Sequence, residues 1–370
     1  MTALAPHGAQ DEASPPPALA AKAVAELRQV FVRPTPAPSQ FAVAAGQADE
    51  LAKATLDTML VRAFRVGTLP SDEDYGQLLS RVRHWVARGE PIRIMIGYAP
   101  MKNPKSVAHT HADWAEFFAL AHLVAWHNKV ATIYPPGLSI KIIFDDSTIR
   151  MANRYGWGPM KDYMSSIPKL IRAMGYESCI VGTMRQSSFA WLFHFGLYQL
   201  AGLRVRRWEK DPANREMFEQ MLEGARRNLA TPEEWSAERR EQYCRDAAHR
   251  YRVYWEALQM SGLSRLGKKL VAMYLDGNQH HLRQSAALHL TSVAKGQVTQ
   301  PWQGEGVLRD NGHDKLVPIV LSGKRRQEVE MRPVEVAGVI NYPGLESIYV
   351  CCDQSSTSSS SIESKPENLN

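Results

Sequence analysis

Pro91-Ile92-Arg93-Ile94-Met95-Ile96-Gly97-Tyr98-Ala99-Pro100 decides how this chain is read. A short apolar run ending in Gly, Tyr and Pro predicts a buried strand that passes into a loop. The pattern returns at Ser139-Ile140-Lys141-Ile142-Ile143-Phe144, which runs into Asp145-Asp146-Ser147. Between the two, residues 111–133 read as a long amphipathic helix stopped by Pro135-Pro136-Gly137. Residues 160–174 read as a further helix closed by Gly175, residues 179–182 as a third short strand, and residues 188–202 as an apolar helix. Alternating strands and helices of these lengths predict right-handed crossovers. The expected fold is therefore α/β, with a mainly parallel, Rossmann-like sheet flanked by helices.

Outward from this core, residues 49–66 carry apolar side chains at helical spacing. Ser71 predicts the cap of another helix, with Asp72, Glu73 and Asp74 in its first turn. Downstream, helices are expected at 214–228 and 232–260, the second opened by Thr231-Pro232-Glu233-Glu234. Short strand-like runs at 286–293, 306–309, 316–321, 328–331, 334–340 and 348–352 make a β-rich C-terminal portion, which can add antiparallel strands to the same sheet. Pro- and Ala-rich residues 1–47 read as a mostly disordered leader with one short helix near 18–30. Residues 48–262 read as the α/β core, 263–352 as the β-rich portion, and Ser-rich 353–370 as a disordered tail.

Composition excludes several classes. The formal net charge of the 370 residues is +6, but the basic residues of 204–252 are interleaved with Glu209, Asp211, Glu216, Glu233, Glu234 and Glu238. That pattern predicts a solvated, ion-paired helix surface and no nucleic-acid footprint. No run approaches about 18 uncharged apolar residues, so no membrane span is expected. Residues 1–17 lack a secretory pattern. Cys179, Cys244, Cys351 and Cys352 have no metal or disulfide-framework spacing, and reduced thiols in the cytoplasm are expected. The chain has no GxGxxG after a strand, no GxxxxGK[ST], no GxSxG and no HExxH.

Ligands of open α/β sheets bind beyond the carboxyl ends of the strands, which selects two loops. In the first, Lys102 and Lys105 bracket a proline turn and suit a phosphate or carboxylate, or else are solvated loop lysines. His109, His111 and Asp113 follow. They can transfer protons or orient a substrate, and less readily bind a metal, while Asp113 also fits a first-turn helix acid. In the second loop Asp145 and Asp146 can bind an amine or hydroxyls, divide acid and base roles, or simply cap a turn. His280-His281 reads as surface, and Trp302 as core or pocket wall.

These motifs, over residues 93–349, resemble the isonitrile synthases of the pyoverdine/dityrosine biosynthesis type. The resemblance is carried by 97–105, by Asp113-Trp114-Ala115-Glu116 with Tyr134-Pro135-Pro136-Gly137, by Phe144-Asp145-Asp146-Ser147, and by Arg283-Gln284-Ser285 with Gln300-Pro301-Trp302-Gln303-Gly304. It implies an enzyme of secondary metabolism that converts the α-amino group of a tyrosine- or tryptophan-like amino acid into an isonitrile. Ribulose 5-phosphate supplies the carbon, and no metal or nucleotide cofactor is implied. Lys102, His111, Asp113 and Asp146 then carry the chemistry, and Tyr98, Lys105, Asp145, Arg283, Ser285 and Trp302 hold substrate. Gln303 stands where the family has a histidine, and the family's Ser-Ile-His-Pro segment has no counterpart beyond nearby His289, so two candidate proton carriers are missing.

Two other readings compete. One is S-adenosylmethionine-dependent cyclisation to azetidine-2-carboxylate, whose sulfonium wants aromatic faces that Tyr98, Trp157, Tyr176 and Trp302 can supply. The other is a ligand-binding relative without catalysis. The expected partners are an amino acid and a sugar phosphate, a second copy in a homodimer, and a downstream oxygenase or peptide synthetase, with no nucleic acid or membrane. Replacing Lys102 is expected to stop turnover and leave the fold intact.

Overall fold

The computed structural model describes residues 17–44, 46–66, 69–107, 109–190, 196–260, 271–274, 288–291, 293, 300–311, 315–322 and 329–352. Its first sheet contains β1 (Ile92–Tyr98), β2 (Leu138–Phe144), β3 (Ile180–Arg185), β4 (Val271–Tyr274) and β5 (Leu288–His289), in the order β3-β2-β1-β4-β5. Every neighbouring pair is parallel. On β1, Ile92, Ile94, Ile96 and Tyr98 are buried, and the intervening Arg93 is exposed and lies over the ring of Trp85. The period-two pattern thus sets which face meets the core. Strand order reverses between β1 and β4, because the chain leaves β1 toward β2 on one side while β4 adds on the other. Such a reversal opens a crevice at the carboxyl ends, where the loop after β1 begins.

The observed architecture is the expected α/β one: a parallel sheet flanked by helices, followed by a strand-rich region. That region differs in one respect. β6 (Gly304–Asp310), β7 (Leu316–Ser322), β8 (Met331–Glu335) and β9 (Ser347–Cys352) form a separate mixed sheet in the order β7-β6-β9-β8 and do not extend the first. The reason lies in α4 (Trp114–Ala131), which is apolar on nearly every side. A helix buried all round needs cover on more than one face. β2 meets α4 on one side, and β6 and β7 meet it on another. Its buried polar exceptions, Glu116 and His127, are both hydrogen-bonded. Gly137 has φ 63°, and a Cβ there would collide with the His127 ring, so the turn after α4 needs glycine.

The short helix expected near 18–30 is present. α1 (Pro17–Val30) packs on β7 and β8 with Ala23 and Leu27 fully buried, and Phe31 and Phe41 lie against the core. Burying a leucine is worth about 2 kcal/mol, enough to hold a short helix once a partner surface exists. α2 (Ala48–Met59) and α3 (Asp72–Val86) follow, the latter capped by Ser71 as expected. α5 (Asp146–Asn153) and α6 (Trp157–Ala173) follow β2 in the chain, and α6 packs on β3.

The helix expected at 188–202 is instead α7 (Ser187–Ala190) and α8 (Leu197–Lys210), with Gly196 at φ 82° just before α8. The strong-looking cap at Thr231-Pro232 forms only a turn. α10 (Ala237–Met260) starts later, where the Ser236 hydroxyl accepts from the Arg239 amide. With α9 (Arg215–Asn228) these helices bury small clusters of their own, and α10 packs on α5, α8 and α9. No helix among the described residues is long and apolar enough to cross a membrane.

Candidate active site

Tyr98 ends β1, and the chain then enters a loop pinned at several points. The Asn103 amide donates to the Trp302 carbonyl at 2.8 Å, and its side-chain amide donates to Gln303 Oε1 at 2.7 Å. Lys102 turns inward and is 2 % exposed. Its ammonium lies 2.8 Å from Glu116 Oε2 and 2.9 Å from Asp113 Oδ2, and donates to the carbonyls of Pro301 and Gly304 at 3.0 Å each. Four acceptors exhaust an ammonium that has three protons. Lys105 faces the other way: it is exposed, and its ammonium donates to the Arg226 carbonyl at the end of α9 at 2.9 Å. The two lysines expected to clamp one anion therefore point apart, because the buried carboxylates claim Lys102 while a helix C-terminus claims Lys105.

Asp113 is the N-cap of α4, one residue outside the helix that was expected to start at His111. Its Oδ1 accepts from the amides of Ala115 (2.6 Å) and Gly306 (3.4 Å), and Glu116 Oε2 accepts from the Asp113 amide at 2.9 Å, completing a capping box. Gly306 is required here, since a Cβ on it would strike the backbone of Trp114 and Ala115. His109 Nε2 lies 3.0 Å from Asp113 Oδ2 and 3.9 Å from Glu305 Oε1. The His109 and His111 rings are 4.5 Å apart, with His111 exposed outside the helix. Tyr163 of α6 donates to Glu116 Oε1 at 2.8 Å. The Tyr98 hydroxyl is buried beside both carboxylates and interacts with the Tyr163 hydroxyl, and the Tyr98 and Trp302 rings meet edge-on at 4.7 Å.

Electrostatics divide the two acids. Burial works against a charge on Asp113, but Lys102 and His109 overcome it and hold its pKa at about 2. For Glu116 burial dominates, aided by the negative Asp113, and lifts the pKa to about 7 despite Lys102. The Lys102 ammonium, opposed by burial, is held charged by both carboxylates and sits above its usual pKa. Burial, then neighbouring His109, lowers that of His111. Carboxyls with pKa values pushed apart in this way are the equipment of acid–base chemistry.

At the end of β2 the Asp145 amide donates to the Tyr98 carbonyl at 3.0 Å, joining the two strand ends. Asp146 is fully buried. Its Oδ1 accepts from the Ser187 amide at 2.9 Å, and its Oδ2 has no partner. The Ser147 hydroxyl contacts Gln186 Oε1 (2.9 Å) and the Tyr254 hydroxyl (2.6 Å). A buried carboxylate oxygen without a donor suits an incoming N–H or O–H.

Structure thus brings together Tyr98, Lys102, Asp113 and Trp302, with Asp145 and Asp146 on the adjoining strand end. Arg283, Ser285 and the pair His280-His281 lie outside the described residues. The aromatic set read for a sulfonium does not assemble as one cage: Trp157 sits under Arg150 and Arg185, and Tyr176 packs on Phe31. Among the described residues no group of three or more His, Cys, Asp or Glu is arranged to hold a metal. Glu116 and Tyr163 were not singled out as site residues. The Asp-x-x-Glu spacing signals a capping box, but nothing local to it signals the Lys102 partner.

Residues 82–259 match the family model described as pyoverdine/dityrosine biosynthesis protein. The fold is similar to that of the PvcA protein from Pseudomonas aeruginosa, with TM-score 0.61 and 16 % identity over 81 % of this chain and 99 % of that one. Tyrosyl-tRNA synthetases from Archaeoglobus fulgidus (TM-score 0.35, 12 % identity, 72 % of this chain and 70 % of that one) and Aeropyrum pernix (0.31, 14 %, 65 % and 61 %) overlap far less. No curated protein matches the sequence at a significant level. Just under half of this chain thus resembles the pyoverdine/dityrosine biosynthesis family, on a fold similar to that of PvcA.

Proposed function

We propose that the chain is an isonitrile synthase-type enzyme, converting the α-amino group of a tyrosine- or tryptophan-like amino acid into an isonitrile with ribulose 5-phosphate as carbon donor. The observation that carries this reading is the buried network of Lys102, Asp113, Glu116, Tyr163 and Tyr98 at the strand-order reversal. Joining an amine to a sugar carbonyl first gives a carbinolamine, which loses water to become an imine. That sequence needs a base for the amine and an acid for the departing hydroxyl. A carboxyl near pKa 7 beside hydroxyls suits both tasks at neutral pH.

The unpartnered Asp146 Oδ2 receives the substrate ammonium, and Trp302 and Tyr98 wall the pocket. With Lys102 committed to carboxylates and Lys105 turned to the end of α9, the sugar phosphate is assigned to Arg283, which lies outside the described residues. The reading calls for no metal or nucleotide cofactor, and places the enzyme in the cytoplasm ahead of an oxygenase or peptide synthetase.

Incubation with amino acids and ribulose 5-phosphate, followed by mass spectrometry, tests the proposal. A sugar-phosphate-dependent isonitrile supports it. Methylthioadenosine released from S-adenosylmethionine, or ligand binding without turnover, overturns it in favour of cyclisation or a non-catalytic role.

A further inference from the structure

The network holds more negative charge than positive. Asp113 and Glu116 carry two carboxyls and Lys102 one ammonium, in a place almost without water. A desolvated surplus charge recruits a proton, and hydrogen-bond direction decides where it can sit. Asp113 Oδ1 faces two backbone amides, and its Oδ2 faces the Lys102 ammonium and the His109 imidazole. Glu116 Oε2 faces the Asp113 amide and Lys102. Glu116 Oε1 alone faces a hydroxyl, that of Tyr163, which can reverse and accept. Beyond Tyr163 lies the Tyr98 hydroxyl, fully buried and in interaction with the Tyr163 hydroxyl.

We infer that Glu116 stores the exchangeable proton of this site and supplies it through Tyr163 to the Tyr98 hydroxyl. Glu116 and Tyr163 are positioning residues, and Tyr98 is the group that meets substrate. The use of the proton rests on the isonitrile reading; its storage does not. In the carbinolamine step Tyr98 gives its proton to the departing hydroxyl, which leaves as water while nitrogen's lone pair forms the C=N bond. Tyr163 re-protonates Tyr98, and Glu116 re-protonates Tyr163, ending as carboxylate. Loss of the iminium N–H proton along the same path restores the acid. The other titratable groups around Glu116 are Lys102 and Asp113 themselves, Tyr342, whose hydroxyl donates to the Ser166 carbonyl at 3.1 Å, and, next to Asp113, His109 with Glu305.

Infrared difference spectra of the full chain, with and without ¹³C-labelled glutamate, read the proton directly. A glutamic-acid C=O band should appear as pH falls through about 7, between about pH 9 and about pH 5. It should be absent in Glu116→Gln. In Tyr163→Phe it should titrate at higher pH, because the carboxylate has lost the hydroxyl that donates to its Oε1; a cap with no proton store would not shift in this way. Absence of a titrating band in folded wild type, or its survival in Glu116→Gln, overturns the inference. If Glu116→Gln fails to fold, Tyr163→Phe decides alone, since an unmoved midpoint there is equally fatal. A band without isonitrile formation would sink the reaction and leave the proton store standing. Where turnover is measurable, Glu116→Gln should lower kcat by about 10²-fold with KM within about twofold.

Discussion

Lys102 Nζ lies 2.8 Å from Glu116 Oε2 with both side chains withdrawn from solvent, so the loop after β1 and the first turn of α4 are joined by a buried ion pair. The same ammonium reaches Asp113 and the carbonyls of Pro301, just before β6, and Gly304, at its start, so one side chain fixes three elements.

Removing that ammonium should cost stability. Lys102→Met leaves two buried carboxyls without a counter-charge, and breaking a buried pair on one side costs about 3–5 kcal/mol. Urea denaturation should show a loss of that size, with activity falling alongside. This replaces the expectation that a Lys102 variant stays fully folded. An unchanged midpoint would show that the pair is not formed in solution.

The pH dependence of stability should separate two buried groups of opposite sign. The folded pKa of Glu116 is raised from 4.5 to about 7, so its contribution is fully present below about pH 4.5 and is lost, by about 3 kcal/mol, as pH rises through 7. Burial depresses His122 from 6.5 to about 4, so its contribution is present above about pH 6.5 and is lost, again by about 3 kcal/mol, as pH falls through 4. The two nearly cancel between these limits and leave wild type flat. Glu116→Gln should unmask the His122 slope, with chemical stability falling steadily below about pH 6.5. A flat profile in that variant would contradict the assignment.

Tyr98→Phe should separate catalysis from folding. The hydroxyl is desolvated and its interaction is with the neutral Tyr163 hydroxyl, so losing it costs the fold no more than about 1 kcal/mol. Melting temperature should change little while kcat falls by about 10²-fold or more. A large drop in melting temperature would mean that the hydroxyl serves the fold and not the reaction.

Gly306→Ala should damage the site from behind. The added methyl meets the backbone where α4 begins, so Asp113 and Glu116 must shift or the second sheet must move away. An expected loss of about 3 kcal/mol, in line with overpacking a tight contact, can be read by thermal melting. Near-native stability would show that α4 sits farther from β6.

What the sequence determined alone was set by local pattern. The runs at β1 and β2 read as strands because apolar side chains at period two have few other uses. Ser71 read as a cap because its hydroxyl satisfies an amide three residues on. The strand ends named the crevice, and with it Tyr98, Asp113, Asp145 and Asp146. Only the tertiary structure decided how the charges pair. Lys102 meets carbonyls 199 and 202 residues away, so no local spacing could show that it serves buried carboxyls and not a solvent-facing anion. The same holds for Glu116, whose capping role was legible in Asp113-Trp114-Ala115-Glu116 but whose raised pKa depends on the burial supplied by a second sheet closing over α4. For α1 the helix near 18–30 was legible, but the distant strands that Leu27 covers were not. Propensity acts within a few residues, whereas desolvation and charge pairing are set by whatever the fold brings alongside.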